Sequence, residues 1–187
     1  MPAAPPDRPE PASVGGAAPT LGDVHFRIEQ PVAAPPDRVV AAFTDPERFE
    51  VEHQVPEVGV PHVLQRRSRQ GTVELRLRYH YVGSLSPAAR RVLDPDKLTW
   101  VQELTVRSGE RRAEFRMVPD HYPDRLRCQG QFLFDELDGG ASTLQVMEGE
   151  LVVSFPLVGP VVERSLLSGV RRYLAAEAPG LAQLAGA

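Results

Sequence analysis

The stretch SFPLVGPVVERSL, residues 154–166, decides the fold. It opens as the end of a β-like run, Leu151-Val152-Val153-Ser154-Phe155, that meets Pro156. Gly159 and Pro160 follow, and a helical pattern starts at once. The joint between them is almost wholly apolar. Chain connections are ordinarily polar because they face water, so this one is expected to be buried. Pro160 suits a first helical turn, where its missing N–H is not needed. Val158, Val162, Leu166, Gly169, Val170 and Tyr173 then share one helical face, with Glu163, Arg164, Arg171 and Arg172 mostly off it. Carried from 157 to 178, this helix is about 33 Å long at about 1.5 Å per residue. Pro179 is expected to bend or end it.

Upstream the period is two. In residues 72–81, Val73, Leu75, Leu77, Tyr79 and Tyr81 point one way, and Glu74, Arg76, Arg78 and His80 the other. The expected hairpin partner is 62–69, joined through Gln70-Gly71. Two more hairpins pair 98–107 with 111–118 around Ser108-Gly109, and 125–134 with 143–155 around Asp138-Gly139-Gly140. Residues 24–29 alternate and read as a first strand. Pro35-Pro36-Asp37 opens a short helix that puts Val39, Ala42 and Phe43 on one face. Asp45 reads as the N-cap of a second short helix holding Phe49, and residues 86–93 as another short capped helix. Residues 51–62 carry Pro56 and Pro61 and no clear period, which leaves the start of the second strand open. The fold class is α+β: an antiparallel sheet of about seven strands whose apolar face buries the stripe of a long C-terminal helix.

Residues 1–20 are rich in Pro, Ala and Gly and aperiodic, so a disordered tail is expected before a single domain spanning 21–187. The start of the chain lacks the basic and apolar regions of a signal peptide, and no segment is long and apolar enough to span a membrane. Cys128 is the single cysteine, which excludes an internal disulfide and fits a reducing, cytoplasmic setting. Lys97 is the only lysine among many arginines, which reads as the codon usage of a GC-rich bacterial genome. The net charge of −4 conceals a basic middle: residues 64–130 carry +6, against −6 before them and −4 after.

The order of elements resembles the helix-grip fold of the START-like and polyketide-cyclase-like superfamily, SRPBCC. VHFRIEQPVAAPPDRVVAAFTDPERFE, residues 24–50, is similar to that superfamily's first strand and helix pair. LSPAARRVL with LTWVQELTV, and GELVVSFPLVGPVVERSL, resemble a bacterial branch carried as a domain of unknown function. The resemblance covers residues 22–187. It implies a curved sheet gripping the long helix, a cavity between them, and binding of lipids, sterols or polyketides, with cyclisation in some members. It carries no catalytic residue.

Four groups of residues are candidates for chemistry. The inward side chains of the sheet are Leu75, Leu77, Tyr79, Tyr81, Trp100, Gln102, Phe115, Met117, Phe132 and Phe134. Such a wall, apolar with a few polar groups, suits a hydrophobic small molecule; a filled core gives the same pattern. Val162, Leu166 and Tyr173 would close the cavity from the helix. Glu148 is the second candidate. Leu144 and Val146 are apolar at even positions, but Leu151, Val153 and Phe155 at odd ones. A bulge at Gly149 accounts for the change of phase. It turns Glu148 inward, where desolvation raises its pKa; otherwise Glu148 and Glu150 stay at a solvated rim. Third, Arg76, Arg78, Arg112, Arg116, Arg125 and Arg127 form a basic outer face. It suits phosphates, or cross-strand ion pairs with neighbours such as Glu74 and Glu114. Last, His25, His53, His62, His80 and His121 show no zinc spacing. Walker, G-x-G-x-x-G and G-x-S-x-G motifs are missing from the sequence.

The expectation is a binding or carrier protein for a hydrophobic small molecule (lipid, sterol-like or polyketide). It needs no cofactor, no metal and no nucleic-acid partner. An enzyme of the cyclase or aromatase kind, and an interaction module with a filled core and a basic outer face, are the alternatives.

Overall fold

The computed structural model describes residues 23–49, 58–85, 87, 89–91, 93–156 and 159–186. The expected tail, His53, the 51–57 part of the ambiguous stretch, positions 86, 88 and 92 of the expected capped helix and the apolar pair Leu157-Val158 lie outside the described residues; Ala89–Arg91 of that helix form a 3-10 turn.

The strands are β1 (Asp23–Val32), β2 (His62–Arg69), β3 (Thr72–His80), β4 (Thr99–Arg107), β5 (Arg112–Pro119), β6 (Leu126–Leu137) and β7 (Ser142–Val153). They form one curved antiparallel sheet in the order β1-β7-β6-β5-β4-β3-β2. Strands β2 to β7 pair with their sequence neighbours, and β1 closes the other edge against β7. Helix α1 (Pro36–Phe43) and a 3-10 turn, Pro46–Phe49, follow β1. The long helix α2 (Gly159–Leu184) follows β7 and lies on the inner face. This is the helix-grip arrangement. Gln70 and Gly71, with φ of 47° and 79°, make the two-residue turn between β2 and β3, the left-handed geometry that a tight hairpin requires. The backbone N–H of Glu47 donates to Asp45 Oδ1 at 2.9 Å, the N-cap the sequence proposed.

Strand β7 departs from expectation. Its register with β1 runs unbroken from Asp23↔Val152 to Val32↔Thr143, and with β6 from Leu126↔Val153 to Leu137↔Ser142. There is no bulge at Gly149. Val146 stands on the outer face between Glu29 and Leu133 and is nevertheless fully buried. The apparent change of phase comes from apolar residues on both faces. Gly149 does something else: it sits opposite Gly130. A Cβ on Gly130 would lie 2.1 Å from the Glu148 carbonyl oxygen, and one on Gly149 2.3 Å from that of Gln129. The two backbones approach more closely than any side chain permits.

Helix α2 also runs differently. It continues through Pro179 to Leu184. Leu181 and Ala185 are buried beyond the proline, and Arg38 of α1 donates to the Ala185 carbonyl at 3.4 Å. Packing against α1 holds the final turn despite the hydrogen bond that proline forfeits. The described residues of the joint before α2 are only partly buried. Ser154 and Pro156 are exposed, while Phe155 is half-buried, edge-on to Tyr122 with ring centroids 5.7 Å apart.

The densest packing lies at one end. Phe43 of α1 meets Phe132 and Phe134 of β6, each at 5.1 Å between centroids. Leu174, Ala178 and Leu181 of α2 close over them in the same buried cluster. At the other end, from Pro160 to Tyr173, no residue of α2 is fully buried.

Candidate functional site

The inner face of the sheet can be read row by row. Tyr79 pairs with Trp100, Leu77 with Gln102, and Leu75 with Leu104. Trp100 in turn pairs with Pro119, and Gln102 with Met117. Side chains on one face keep this order because the strand period is two. The sequence therefore brings Leu75, Leu77, Tyr79, Trp100, Gln102, Phe115, Met117, Phe132 and Phe134 to the face that α2 covers. They differ in depth. Leu75, Leu77, Phe115, Phe132 and Phe134 belong to the buried cluster; Trp100, Gln102 and Met117 remain half-exposed. Val162, Leu166, Val170 and Tyr173 from α2 pack against that cluster while partly open. Tyr81 stands past the end of β3, in an isolated bridge with Val58, its hydroxyl donating to the Ser84 carbonyl at 3.3 Å.

Trp100 stacks on Tyr79, ring centroids 5.5 Å apart and planes 6° from parallel. Tyr79 meets Tyr173 edge-on at 6.3 Å, with their hydroxyl oxygens 3.4 Å apart. Burial pushes the Tyr79 hydroxyl up to about 12, and raises Tyr173 well above the ordinary phenol value. Both are hydrogen-bond donors at neutral pH, not bases.

Behind the tyrosines is a charge pair that sequence reasoning missed. Arg48 and Glu177 are 3% and 1% exposed. Arg48 Nη2 lies 2.9 Å from Glu177 Oε1. Among the described residues Arg48 Nε and the two carboxylate oxygens have no other hydrogen-bond partner, so the pair is held by this one close contact. Arg48 also donates to the Phe43 carbonyl and lies over the rings of Phe43 and Phe49, 3.9 and 4.5 Å from their centroids. Arg66 of β2 donates to the Thr44 carbonyl at 3.1 Å. Two arginines thus satisfy carbonyls that the end of α1 leaves open. Gln145 is another missed polar group: it is fully buried beside Gln30 and Phe134, and both its amide atoms lack partners among the described residues. A signal for Glu177 was present. Leu166, Val170, Tyr173 and Glu177 follow helical spacing, so the carboxylate continues the apolar stripe.

Glu148 is not an inward group. Without a bulge it faces outward, accepting from Gln131 at 2.6 Å and Arg27 at 2.6 Å. Gln131 first, then Arg27, hold its carboxyl below the ordinary range, opposite to the expected rise. It does not line the inner face.

The outer face carries an open groove of about 970 Å³, lined in part by Arg27, Glu103, Arg112, Glu114, Arg116 and Glu148. Its basic character is largely cancelled. Arg76 and Arg116 reach Glu103 at 3.4 and 2.8 Å. Arg78 reaches Asp120 at 3.1 Å, Arg112 reaches Glu114 at 3.9 Å, and Arg127 reaches Glu150 at 3.6 Å. Arg125 donates to the Ser154 carbonyl at 2.9 Å. Burial raises the Cys128 thiol to about 12, which keeps it unreactive. Among the described residues no three His, Cys, Asp or Glu side chains are grouped to hold a metal ion, and no helix is long and apolar enough to cross a membrane.

The chain belongs to the family described as "Protein of unknown function (DUF2505)", whose model matches residues 27–183. No curated protein sequence matches it. Among solved structures it is similar to TTHA0849 from Thermus thermophilus, at 20% identity and a TM-score of 0.58, covering 87% of this chain and 97% of that one. It is similar to the Zhui aromatase/cyclase from Streptomyces sp. R1128, at 18% identity and a TM-score of 0.59, covering 88% and 94%. It is also similar to norcoclaurine synthase from Thalictrum flavum, at 15% identity and a TM-score of 0.58, covering 94% and 96%. These likenesses establish the shared helix-grip fold.

Proposed function

We propose that the protein binds a hydrophobic small molecule between the first half of α2 and the sheet, as a binding or carrier protein. The observation that carries this reading is the half-burial of two facing apolar surfaces. Trp100, Gln102 and Met117 on the sheet and Val162, Leu166 and Val170 on α2 face inward yet keep contact with solvent. Apolar surface left open in this way gains about 25 cal/mol per Å² when a ligand covers it, before association costs. Two relatives in fold support the reading: one is an aromatase/cyclase, and the norcoclaurine synthase holds dopamine and hydroxybenzaldehyde. Lipid, sterol-like and polyketide molecules all fit the chemistry of the surface.

A binding role is favoured over a cyclase or aromatase because the groups the sequence offered for acid–base work, the cavity tyrosines and Glu148, are not placed as bases. Tyr79 and Tyr173 keep their protons, and Glu148 is on the outer face. The interaction-module reading loses its main support because the outer arginines are matched by carboxylates. Native mass spectrometry of the purified protein tests the proposal. The expected result is an adduct of lipid or polyketide mass that disappears on denaturation. A bare mass that stays bare after incubation with fatty acids, sterols and aromatic polyketides contradicts it.

A further inference from the structure

We infer that β2, an open edge of the sheet, is a docking site for an extended peptide segment of another protein. That segment carries acidic residues at alternate positions and joins the sheet as a further strand.

Strand β2 ends the sheet, with β3 alone paired to it among the described residues. No described backbone hydrogen bond outside that ladder involves β2. The N–H and C=O groups along its far side are therefore open, a template for an incoming strand. The opposite edge is different. Phe26, Ile28 and Val32 of β1 are buried, and its Arg27 is tied to Glu29 and Glu148. No residue of β2 is buried.

Charge decides what this edge accepts. Residues 58–73 contain no Asp or Glu, yet β2 carries Arg66, Arg67 and Arg69. Arg66 shares the inner face with Leu75 and donates to the Thr44 carbonyl at 3.1 Å. Arg67 and Arg69 share the outer face, opposite Glu74 and Thr72. Both are exposed, and neither has a hydrogen bond or ion pair among the described residues. Arg76, Arg78 and Arg116 nearby are all matched by carboxylates. A second copy of β2 would bring like charges to this edge, and the bulge between Val63 and Gln65 further discourages self-pairing. The same arginines attract an acidic strand. An anionic membrane would neutralise them but leave the backbone groups of the strand without partners.

The register sets the pattern of the incoming segment. From residue 65 to 69, β2 pairs with β3 without interruption. Alternate residues of an added strand then lie beside Arg67 and Arg69 on the outer face. The residues between them face inward, and near the bulge they cover Val63 and Leu64, which are 41% and 48% exposed. Acidic residues alternating with apolar ones fit both faces.

The test is fluorescence anisotropy with short, end-capped peptides. One alternates valine with glutamate, a second alternates valine with lysine, and a third is the glutamate peptide N-methylated throughout, which keeps the charge and loses every N–H. The glutamate peptide is expected to bind at least about tenfold more tightly than either of the others, and to weaken as salt is raised. Arg67→Glu with Arg69→Glu changes two exposed side chains, and should invert the preference toward the lysine peptide. If that variant does not fold, Arg67→Gln with Arg69→Gln takes its place and should abolish the preference. No binding of the glutamate peptide, equal binding of the glutamate and lysine peptides, undiminished binding of the N-methylated one, or a preference that survives the folded variant overturns the inference. So does capture of the protein by phosphatidylglycerol vesicles that the glutamate peptide does not displace. None of these outcomes bears on the hydrophobic-ligand reading, which concerns the inner face.

Discussion

The two halves of α2 have the same amphipathic spacing but different surroundings. From Leu174 onward the inward residues are buried against α1 and the Phe43, Phe132 and Phe134 cluster. From Pro160 to Tyr173 the inward residues stay half-exposed, facing Trp100, Gln102 and Met117. Periodicity tells which side of a helix turns inward; what fills the opposite side decides whether it is buried. Here one half is buried in the core, and the other, partly open, is the half proposed to take a ligand. The buried Arg48–Glu177 pair stands at the boundary.

Substitutions in either half, or at the boundary, put this contrast at risk. The largest effect is expected for Arg48→Ala. It strands the Glu177 carboxylate in the core and should cost about 3–5 kcal/mol in denaturant unfolding. A loss near zero would mean that the closed half does not carry the stability. Two leucines of the same helix give the sharpest contrast. Leu181→Ala, at 1% exposure in the closed half, should cost about 2–5 kcal/mol. Leu166→Ala in the open half should cost under about 1.5 kcal/mol, in proportion to its partial burial, and should weaken ligand binding. Equal losses of stability would erase the distinction.

The boundary has a pH signature. Tyr79 ionises at about 12 in the folded protein and at the ordinary phenol value of 10.0 when free of the fold. The unfolded chain therefore releases its proton first as pH rises. Stability from this group is intact below about pH 10 and falls by about 3 kcal/mol as pH rises to about 12. Unfolding midpoints should drop across that interval, and Tyr79→Phe should flatten the drop. The smallest effect is expected for Glu148→Gln. Its partners Arg27 and Gln131 are on the outer face, so the loss should stay under about 1 kcal/mol with no change in ligand binding. Abolished binding would return Glu148 to the site.

Most of the fold was legible because its signals are local. The alternation of residues 72–81 and the turn chemistry of Gln70-Gly71 fix β2 and β3 without knowledge of the rest. The stripe from Val162 to Tyr173 likewise gives the helix and its inward side. The misreadings arose where tertiary contacts override local pattern. Val146 looks inward by its apolarity, yet it is buried on the outer face between Glu29 and Leu133. Pro179 reads as a bend or an end, and the end does not occur: the contacts of Leu181 and Ala185 carry the helix past it. Alternation puts Leu75, Leu77, Tyr79, Trp100 and Gln102 on one face, but not Tyr81, which stands past the end of β3, and it does not give depth, which depends on distant elements. Arg48 in particular reads as an ordinary surface residue in Pro-Glu-Arg-Phe. Only the fold brings it over Phe43 and against Glu177.

The most direct measurement uses Trp100, the single tryptophan, which sits in the open half against Tyr79. Its emission should change saturably as an apolar ligand such as a long-chain alcohol is added, and the unfolding midpoint should rise in parallel. Emission that stays constant while such a ligand binds would put the ligand elsewhere and contradict the assignment of the open half as the binding site.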